Sequence, residues 1–153
     1  MKLFDTKNKN SYTVIIGCGR LGANLANTLS NEGADVLIMD ESKASFWRLA
    51  PNFGGLSIVG AGTDLDKLRE AKIEQATAVI AVTNDDNANI MIAQIARELF
   101  HVEQVIARLY DPECEIIYQK LGIKTICPAV LSAKEIDKLL EERVKKEQEE
   151  KKD

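Results

Sequence analysis

The sequence predicts an α/β fold, a doubly wound six-stranded parallel sheet followed by a long charged C-terminal helix. Six short runs rich in valine, isoleucine and alanine alternate with helical patterns along the chain. These runs lack the polar–apolar alternation of a strand with one wet face, so helices are expected to cover both faces of the sheet. The predicted strands cover residues 12–17, 35–40, 56–60, 77–82, 104–109 and 123–127.

Length and composition predict one cytoplasmic domain. A chain of 153 residues can bury a complete core. Its net charge of −4 argues against nucleic acid as a partner, because binding a phosphate backbone requires a basic face. No apolar run approaches the roughly 20 residues of a membrane-spanning helix, which argues against membrane insertion. Three widely spaced cysteines predict neither a disulfide framework nor a metal site. The polar residues 1–10 are expected to form a flexible N-terminal tail before a domain at 11–128.

A glycine-rich turn, Gly17-Cys18-Gly19-Arg20-Leu21-Gly22, follows the first predicted strand. In such a turn Gly17 permits the tight bend, Gly19 lets a pyrophosphate approach the main chain, and Gly22 lets the next helix pack on the sheet. The free N–H groups at that helix N-terminus and the positive end of its dipole attract an anion. Residues 11–128 are therefore predicted to form a Rossmann-like nucleotide-binding domain.

Asp40 ends the second predicted strand, eighteen residues after Gly22. A carboxylate at this place accepts hydrogen bonds from ribose hydroxyls and repels a 2′-phosphate. The expected ligands are therefore NAD(H), AMP, ADP or ATP and not NADP(H). Asp40 is also suited to cap the helix predicted to begin near residue 42, and the two roles are compatible. The neighbouring Glu41 is included in the candidate site.

Several other residues are expected to have structural and not functional roles. Asp85 and Asp86 suit the start of a helix but would repel a phosphate, so they are expected to act as caps. The single histidine, His101, is expected to have no functional role. Trp47 and Arg48 are assigned to packing and to the protein surface.

Two further loops complete a resemblance to a known family: Gly60-Ala61-Gly62-Thr63-Asp64 after the third strand and Thr83-Asn84-Asp85-Asp86 after the fourth. With the glycine turn and its Arg20, they resemble the nucleotide-binding N-terminal lobe of the RCK/KTN family, which regulates potassium conductance and transport. The resemblance covers residues 11 to about 135. The family commonly has an acid where Ala61 stands, so Ala61 is left with backbone contacts only.

The resemblance implies roles for individual residues. Arg20 would contact the ligand phosphates, Asp40 the ribose, the 60–64 loop the adenine side, and Asn84 the distal phosphate or nicotinamide side. No catalytic residue and no metal ligand is expected. The candidate cofactor-binding residues are Gly17, Cys18, Gly19, Arg20, Leu21, Gly22, Asp40, Glu41, Gly60, Ala61, Gly62, Thr63 and Asn84.

The predicted function is that of a regulatory subunit. It would bind NAD(H) or an adenine nucleotide without reacting with it and control a potassium transporter or channel from the inner face of the membrane. The subunit is expected to form a homo-oligomer. A small NAD-dependent oxidoreductase is the alternative, but the predicted sheet leaves no room for a substrate domain or a well-placed proton donor. A redox-sensing transcription regulator would need a basic recognition helix, which the sequence lacks.

Residues 129–153 are predicted to form a crossover or terminal helix with one thin apolar stripe of Ile136, Leu140 and Val144. This helix either lies in solvent or docks on another subunit. Members of the family usually continue into a smaller C-terminal lobe. The resemblance therefore suggests a stand-alone ligand-sensing subunit, and it leaves open whether a separate chain supplies that lobe.

Overall fold

A computed structural model describes residues 11–150, with side chains described as far as residue 145. It confirms the predicted fold class: all six strands pair in parallel in the order β3-β2-β1-β4-β5-β6. The flexible tail predicted for 1–10 lies outside the described residues. The strands are β1 (Tyr12–Ile16), β2 (Asp35–Asp40), β3 (Leu56–Val59), β4 (Ala78–Ala81), β5 (Gln104–Arg108) and β6 (Lys124–Ile126).

Within residues 11–150, five α-helices connect and follow the strands. They are α1 (Arg20–Asn31), α2 (Leu65–Glu70), α3 (Asp86–Gln94), α4 (Glu115–Lys120) and α5 (Pro128–Glu150). The helix predicted after β2 is a six-residue 3-10 helix, Lys43–Arg48. α3 continues directly into a π-helix, Ile95–Leu99.

Two apolar layers enclose the sheet. Val14 and Ile16 of β1 belong to the layer that α2 and α3 cover, whereas Ile15 belongs to the layer under α1. All three side chains are buried, as the continuous apolar runs predict for strands covered on both faces. Fully burying one such side chain contributes about 1.5–3 kcal/mol, so these layers provide most of the stability of the domain.

The strand order reverses between β1 and β4. The connection from β1 crosses towards β2 and the connection from β4 crosses towards β5, so their loops separate at the carboxyl edge of the sheet. In open α/β sheets this switch point forms a crevice that binds ligands.

α5 leaves the body of the domain with its apolar side chains uncovered. Ile136, Leu140 and Val144 are all more than half exposed. Within the described part of the chain, no helix is long and apolar enough to cross a membrane.

Candidate functional site

A cleft of about 480 Å³ opens at the carboxyl ends of β1, β2 and β4, which is the switch point. Its volume lies in the range typical of small-molecule sites. Nine predicted site residues line it: Gly17, Cys18, Gly19, Asp40, Glu41, Gly60, Gly62, Thr63 and Asn84. The rest of the lining consists of Ile16, Met39, Ser45, Arg48, Val82, Thr83, Asp85, Ala88 and Ile92.

The three glycines of the turn differ in what the fold requires of them. Gly17 has a φ of +110°, and a Cβ there would lie 2.7 Å from the carbonyl carbon and oxygen of Val82. A Cβ at Gly22 would collide with the carbonyl oxygen of Gly17. At Gly19 a Cβ would meet no atom within 4 Å. Packing therefore excludes side chains at Gly17 and Gly22, whereas Gly19 borders open space in the cleft.

The N-terminus of α1 points at this open space and carries no cap. Neither a side-chain hydrogen bond nor an acidic residue in the first turn satisfies its N–H groups. By contrast, Asp64 caps α2 and Asp85 caps α3. The free amides of the first turn of α1 are thus available to an anion in the cleft.

Three residues of the predicted glycine-turn site do not line the cleft with the others. Arg20 is exposed, Leu21 packs partly buried against the core under α1, and Gly22 is buried where α1 meets the turn. Leu21 and Gly22 take part only through their backbone at the start of α1.

Asp40 joins the glycine turn to the segment after β2. Its Oδ2 accepts a hydrogen bond from the Cys18 N–H at 2.8 Å, and its Oδ1 accepts one from the Ser42 N–H at 2.8 Å. Ser42 precedes the 3-10 helix, and no side chain caps that helix. The predicted capping role of Asp40 was therefore wrong, because its carboxylate bonds the turn before the helix and not the first N–H groups of the helix. Through the Cys18 amide, the carboxylate holds the glycine turn in place from the end of β2.

Cys18 adds a second link between the same two segments. Its Sγ donates to the carbonyl oxygen of Ser45 at 3.4 Å, and the side chain is completely buried. Burial, with a smaller contribution from the Asp40 charge, raises the pKa of the Cys18 thiol above 9.0, although Arg48 acts in the opposite direction. Cys18 is therefore a neutral packing and positioning group at physiological pH.

The 60–64 loop forms the wall beyond β3. The N–H of Gly60 donates to the carbonyl oxygen of Asp40 at 2.9 Å, which fixes the loop to the end of β2. A Cβ at Gly62 would collide with the side chain of Ile16, so this glycine allows a close approach to β1. Ala61 does not line the cleft, and its carbonyl oxygen accepts the N–H of Asp64 at 3.0 Å.

Arg48 lines the cleft, although the sequence analysis assigned it to packing and to the protein surface. Among the described lining residues it is the one cation, beside the carboxylates of Asp40, Glu41 and Asp85. Its guanidinium stacks 4.9 Å from the ring centroid of the exposed Trp47. None of the ion pairs found in residues 11–145 includes it. Its position in the segment directly after Asp40 was the available signal.

The two aspartates after β4 have different roles. Asp85 Oδ1 accepts the N–H of Ala88 at 2.9 Å, which confirms the predicted cap. Asp86 lies in the first turn of α3, but its carboxylate accepts the N–H groups of Tyr110 at 2.9 Å and of Asp111 at 3.1 Å. The prediction that Asp86 is a cap was therefore wrong, because this side chain fastens the β5–α4 loop instead.

The pattern of the TrkA-N domain family matches residues 13–128. The Trk system potassium uptake protein TrkA of Streptomyces coelicolor is 50% identical over 115 residues, which are 75% of this chain and 52% of that protein. The chain thus spans about half the length of this curated relative.

Solved structures agree with this result. The RCK domain of GsuK has a TM-score of 0.72 and 26% identity, over 88% of this chain and 29% of that one. The structure of GsuK bound to ADP has a TM-score of 0.73 and 25% identity, over 90% of this chain and 36% of that one. The resemblance to RCK proteins is confirmed, and the chain belongs to the TrkA-N domain family.

Proposed function

We propose that this domain binds an adenine nucleotide or NAD(H) in the cleft at the N-terminus of α1, without reacting with it. The observation that carries the proposal is the open space at Gly19 beside uncapped helix amides. Gly19 has φ −80° and ψ −164°, extended backbone that any residue adopts. Neither packing nor backbone geometry requires a glycine there, whereas a pyrophosphate approaching the main chain does.

The neighbouring walls fit an adenosine group next to the phosphates. Asp40 lies at the end of β2, where a carboxylate meets a ribose, and the 60–64 loop borders the same end of the cleft. We assign the phosphates to the amides of α1 and to Arg20, and the distal end to Asn84. The solved structure of GsuK with ADP supports a ligand of this class.

The ligand is proposed to act as a signal. Asp40 and Asp85 both accept backbone N–H groups, so these carboxylates hold loops and are poorly suited to transfer protons. The relative from S. coelicolor is a potassium uptake protein. We therefore propose a cytoplasmic, non-enzymatic subunit whose occupancy biases a membrane potassium transporter or channel. Such control requires different ligand affinities in two states.

The same proposal includes self-association through α5. Its apolar stripe of Ile136, Leu140 and Val144 is exposed to solvent in the single chain. An exposed apolar stripe of this kind is suited to packing against a second subunit. A homo-oligomer would carry a change at the cleft to the transporter as a change in subunit contacts.

Isothermal titration calorimetry and thermal unfolding with AMP, ADP, ATP, NAD⁺ and NADH test nucleotide binding. At a ligand concentration one hundred times its Kd, the folded state gains about 2.7 kcal/mol, which raises Tm measurably. The proposal is overturned if none of the five ligands gives heat or a shift.

Gly19→Ala is the diagnostic variant. A methyl group there meets no protein atom within 4 Å. Alanine is a poorer N-cap than glycine, but it also lowers the entropy of the unfolded chain, so the two effects oppose each other. We therefore expect a change in the free energy of unfolding of about 1 kcal/mol or less. Nucleotide affinity should fall at least tenfold. Gly54→Ala is the matched control, since its Cβ makes only an ordinary 3.5 Å contact with Ser30 Oγ on an exposed turn. Wild-type affinity in Gly19→Ala would contradict the proposed site.

A further inference from the structure

A buried polar cluster lies behind the loop that follows β4. Asn89 is fully buried in α3, and its Oδ1 accepts the N–H of Thr83 at 2.8 Å and the Thr83 hydroxyl at 2.7 Å. Its Nδ2 donates to the carbonyl oxygens of Thr83 at 3.1 Å and Arg108 at 3.0 Å. One side chain thus satisfies both main-chain groups of Thr83 and joins them to the end of β5.

Arg108 is the second member of the cluster and is only 8% exposed. Its Nη2 donates to the carbonyl oxygens of Val82 at 3.0 Å and Thr83 at 2.8 Å, and to Asn84 Oδ1 at 3.3 Å. Its buried Nε has no partner, and none of the ion pairs in residues 11–145 includes Arg108. A buried cation without a carboxylate is costly, which indicates a role beyond filling space.

The cluster determines what the loop presents to the cleft. Thr83 and Asn84 line the cleft, whereas Arg108 and Asn89 lie behind them. Because the guanidinium donates to Asn84 Oδ1, the carboxamide is turned with its oxygen towards Arg108. Its two N–H donors have no acceptor among the described residues and remain available to a ligand.

The position in the sheet identifies which part of a ligand meets these donors. A doubly wound sheet consists of two mononucleotide-binding halves, and a dinucleotide spans the switch point between them. Gly19 and Asp40 belong to the first half, whereas the loop after β4 belongs to the second. AMP occupies one half only, but NAD⁺ reaches both.

We propose that Arg108 and Asn89 are positioning residues that orient Asn84 towards the second mononucleotide of a bound dinucleotide, so that they determine affinity for NAD(H) relative to AMP. This inference rests on the proposed nucleotide site. The acceptors that Asn84 meets are phosphate or carboxamide oxygens of the ligand's second half.

Calorimetry with AMP and NAD⁺ on the purified domain tests the inference. Arg108→Met should bind AMP within twofold of wild type but NAD⁺ at least tenfold more weakly, and Arg108→Lys should recover most of the NAD⁺ affinity. Arg97→Met is the matched control. It also removes an arginine that donates to a backbone carbonyl, that of Gly122 at 2.8 Å, but away from the cleft. Its NAD⁺ to AMP affinity ratio should stay unchanged.

Asn84→Ala keeps the test valid if Arg108→Met fails to fold, because Asn84 is exposed. It should lower the NAD⁺ affinity as Arg108→Met does, and the double variant should lose little more, because both act through one carboxamide. An unchanged ratio in Asn84→Ala overturns the inference, as does a wild-type domain that binds AMP but not NAD⁺. A wild-type domain that binds neither ligand overturns the proposed function itself.

Discussion

Replacing Asp40 with asparagine should destabilise the domain by about 2–3 kcal/mol, because one carboxylate holds two backbone amides. Its bonds to the N–H groups of Cys18 and Ser42 are both 2.8 Å long. Asparagine offers a single oxygen, which should stay with the buried Cys18 amide. Hydrogen bonds to a charged group contribute about 1.5–3 kcal/mol and neutral ones about 0.5–1.5 kcal/mol. Weakening the Cys18 bond costs about 1 kcal/mol, and losing the exposed Ser42 bond costs about 1.5 kcal/mol, the low end of the charged range, so the sum lies at about 2–3 kcal/mol.

Thermal unfolding measures the effect. For a domain of this size the loss corresponds to a decrease in Tm of roughly 5–10 °C. Asp35→Asn is the matched control, since Asp35 is an exposed aspartate at the opposite end of the same strand. A surface change of this kind should stay within about 0.5 kcal/mol of wild type. If Asp40→Asn melts within 1 °C of Asp35→Asn, the two amide bonds do not hold the glycine turn.

Two further predictions concern Arg48 and Cys18. Arg48→Gln should weaken adenine-nucleotide binding roughly threefold to tenfold, because a partly exposed charge contributes about 1 kcal/mol. Lys43→Gln, an exposed cation of the same 3-10 helix outside the cleft lining, should bind like wild type in calorimetry. The folded protein favours the neutral thiol of Cys18, whose pKa is raised above the ordinary 9.0. The stability that comes from this preference is fully present below pH 9.0 and is lost as the pH rises through the raised pKa. Between pH 8 and 10.5, Tm should therefore decrease less in Cys18→Ser than in wild type, and equal slopes would refute the assignment.

The sequence predicted the parts of the site that depend on backbone order. The continuous apolar runs predicted strands buried on both faces, and the order of strands and helices predicted where the loops meet. Gly17 and Gly22 follow from the same logic, because the turn and the close helix packing require them. These features depend on sequence spacing alone, and the structure contains them.

Side-chain direction could not be predicted in the same way. Arg48 lines the cleft from the end of a 3-10 helix, whereas the pattern predicted an α-helix, on which side chains follow a different angular spacing. Asp86 binds the amides after β5, which lie 24 and 25 residues away in the chain. Asn89 and Arg108 meet only because α3 packs beside β5. Local patterns contain no information about such long-range partners.

Different groups in the cleft bind the phosphate and determine which nucleotide is preferred. Amides at the start of α1 bind a phosphate whatever side chains surround them, so they distinguish poorly between AMP and NAD⁺. Selectivity must then come from side chains in the two halves, Arg48 in the first and Asn84 in the second. A dinucleotide would contact both Arg48 and Asn84. Because Asn84 is bonded to Arg108, the second half of the dinucleotide would also be coupled to β5. The chain after β5 is tied to the start of α5, since Cys127 Sγ donates to the carbonyl oxygen of Tyr110 at 3.7 Å. A ligand confined to the first half has no such connection, so a dinucleotide should affect α5 more than AMP does.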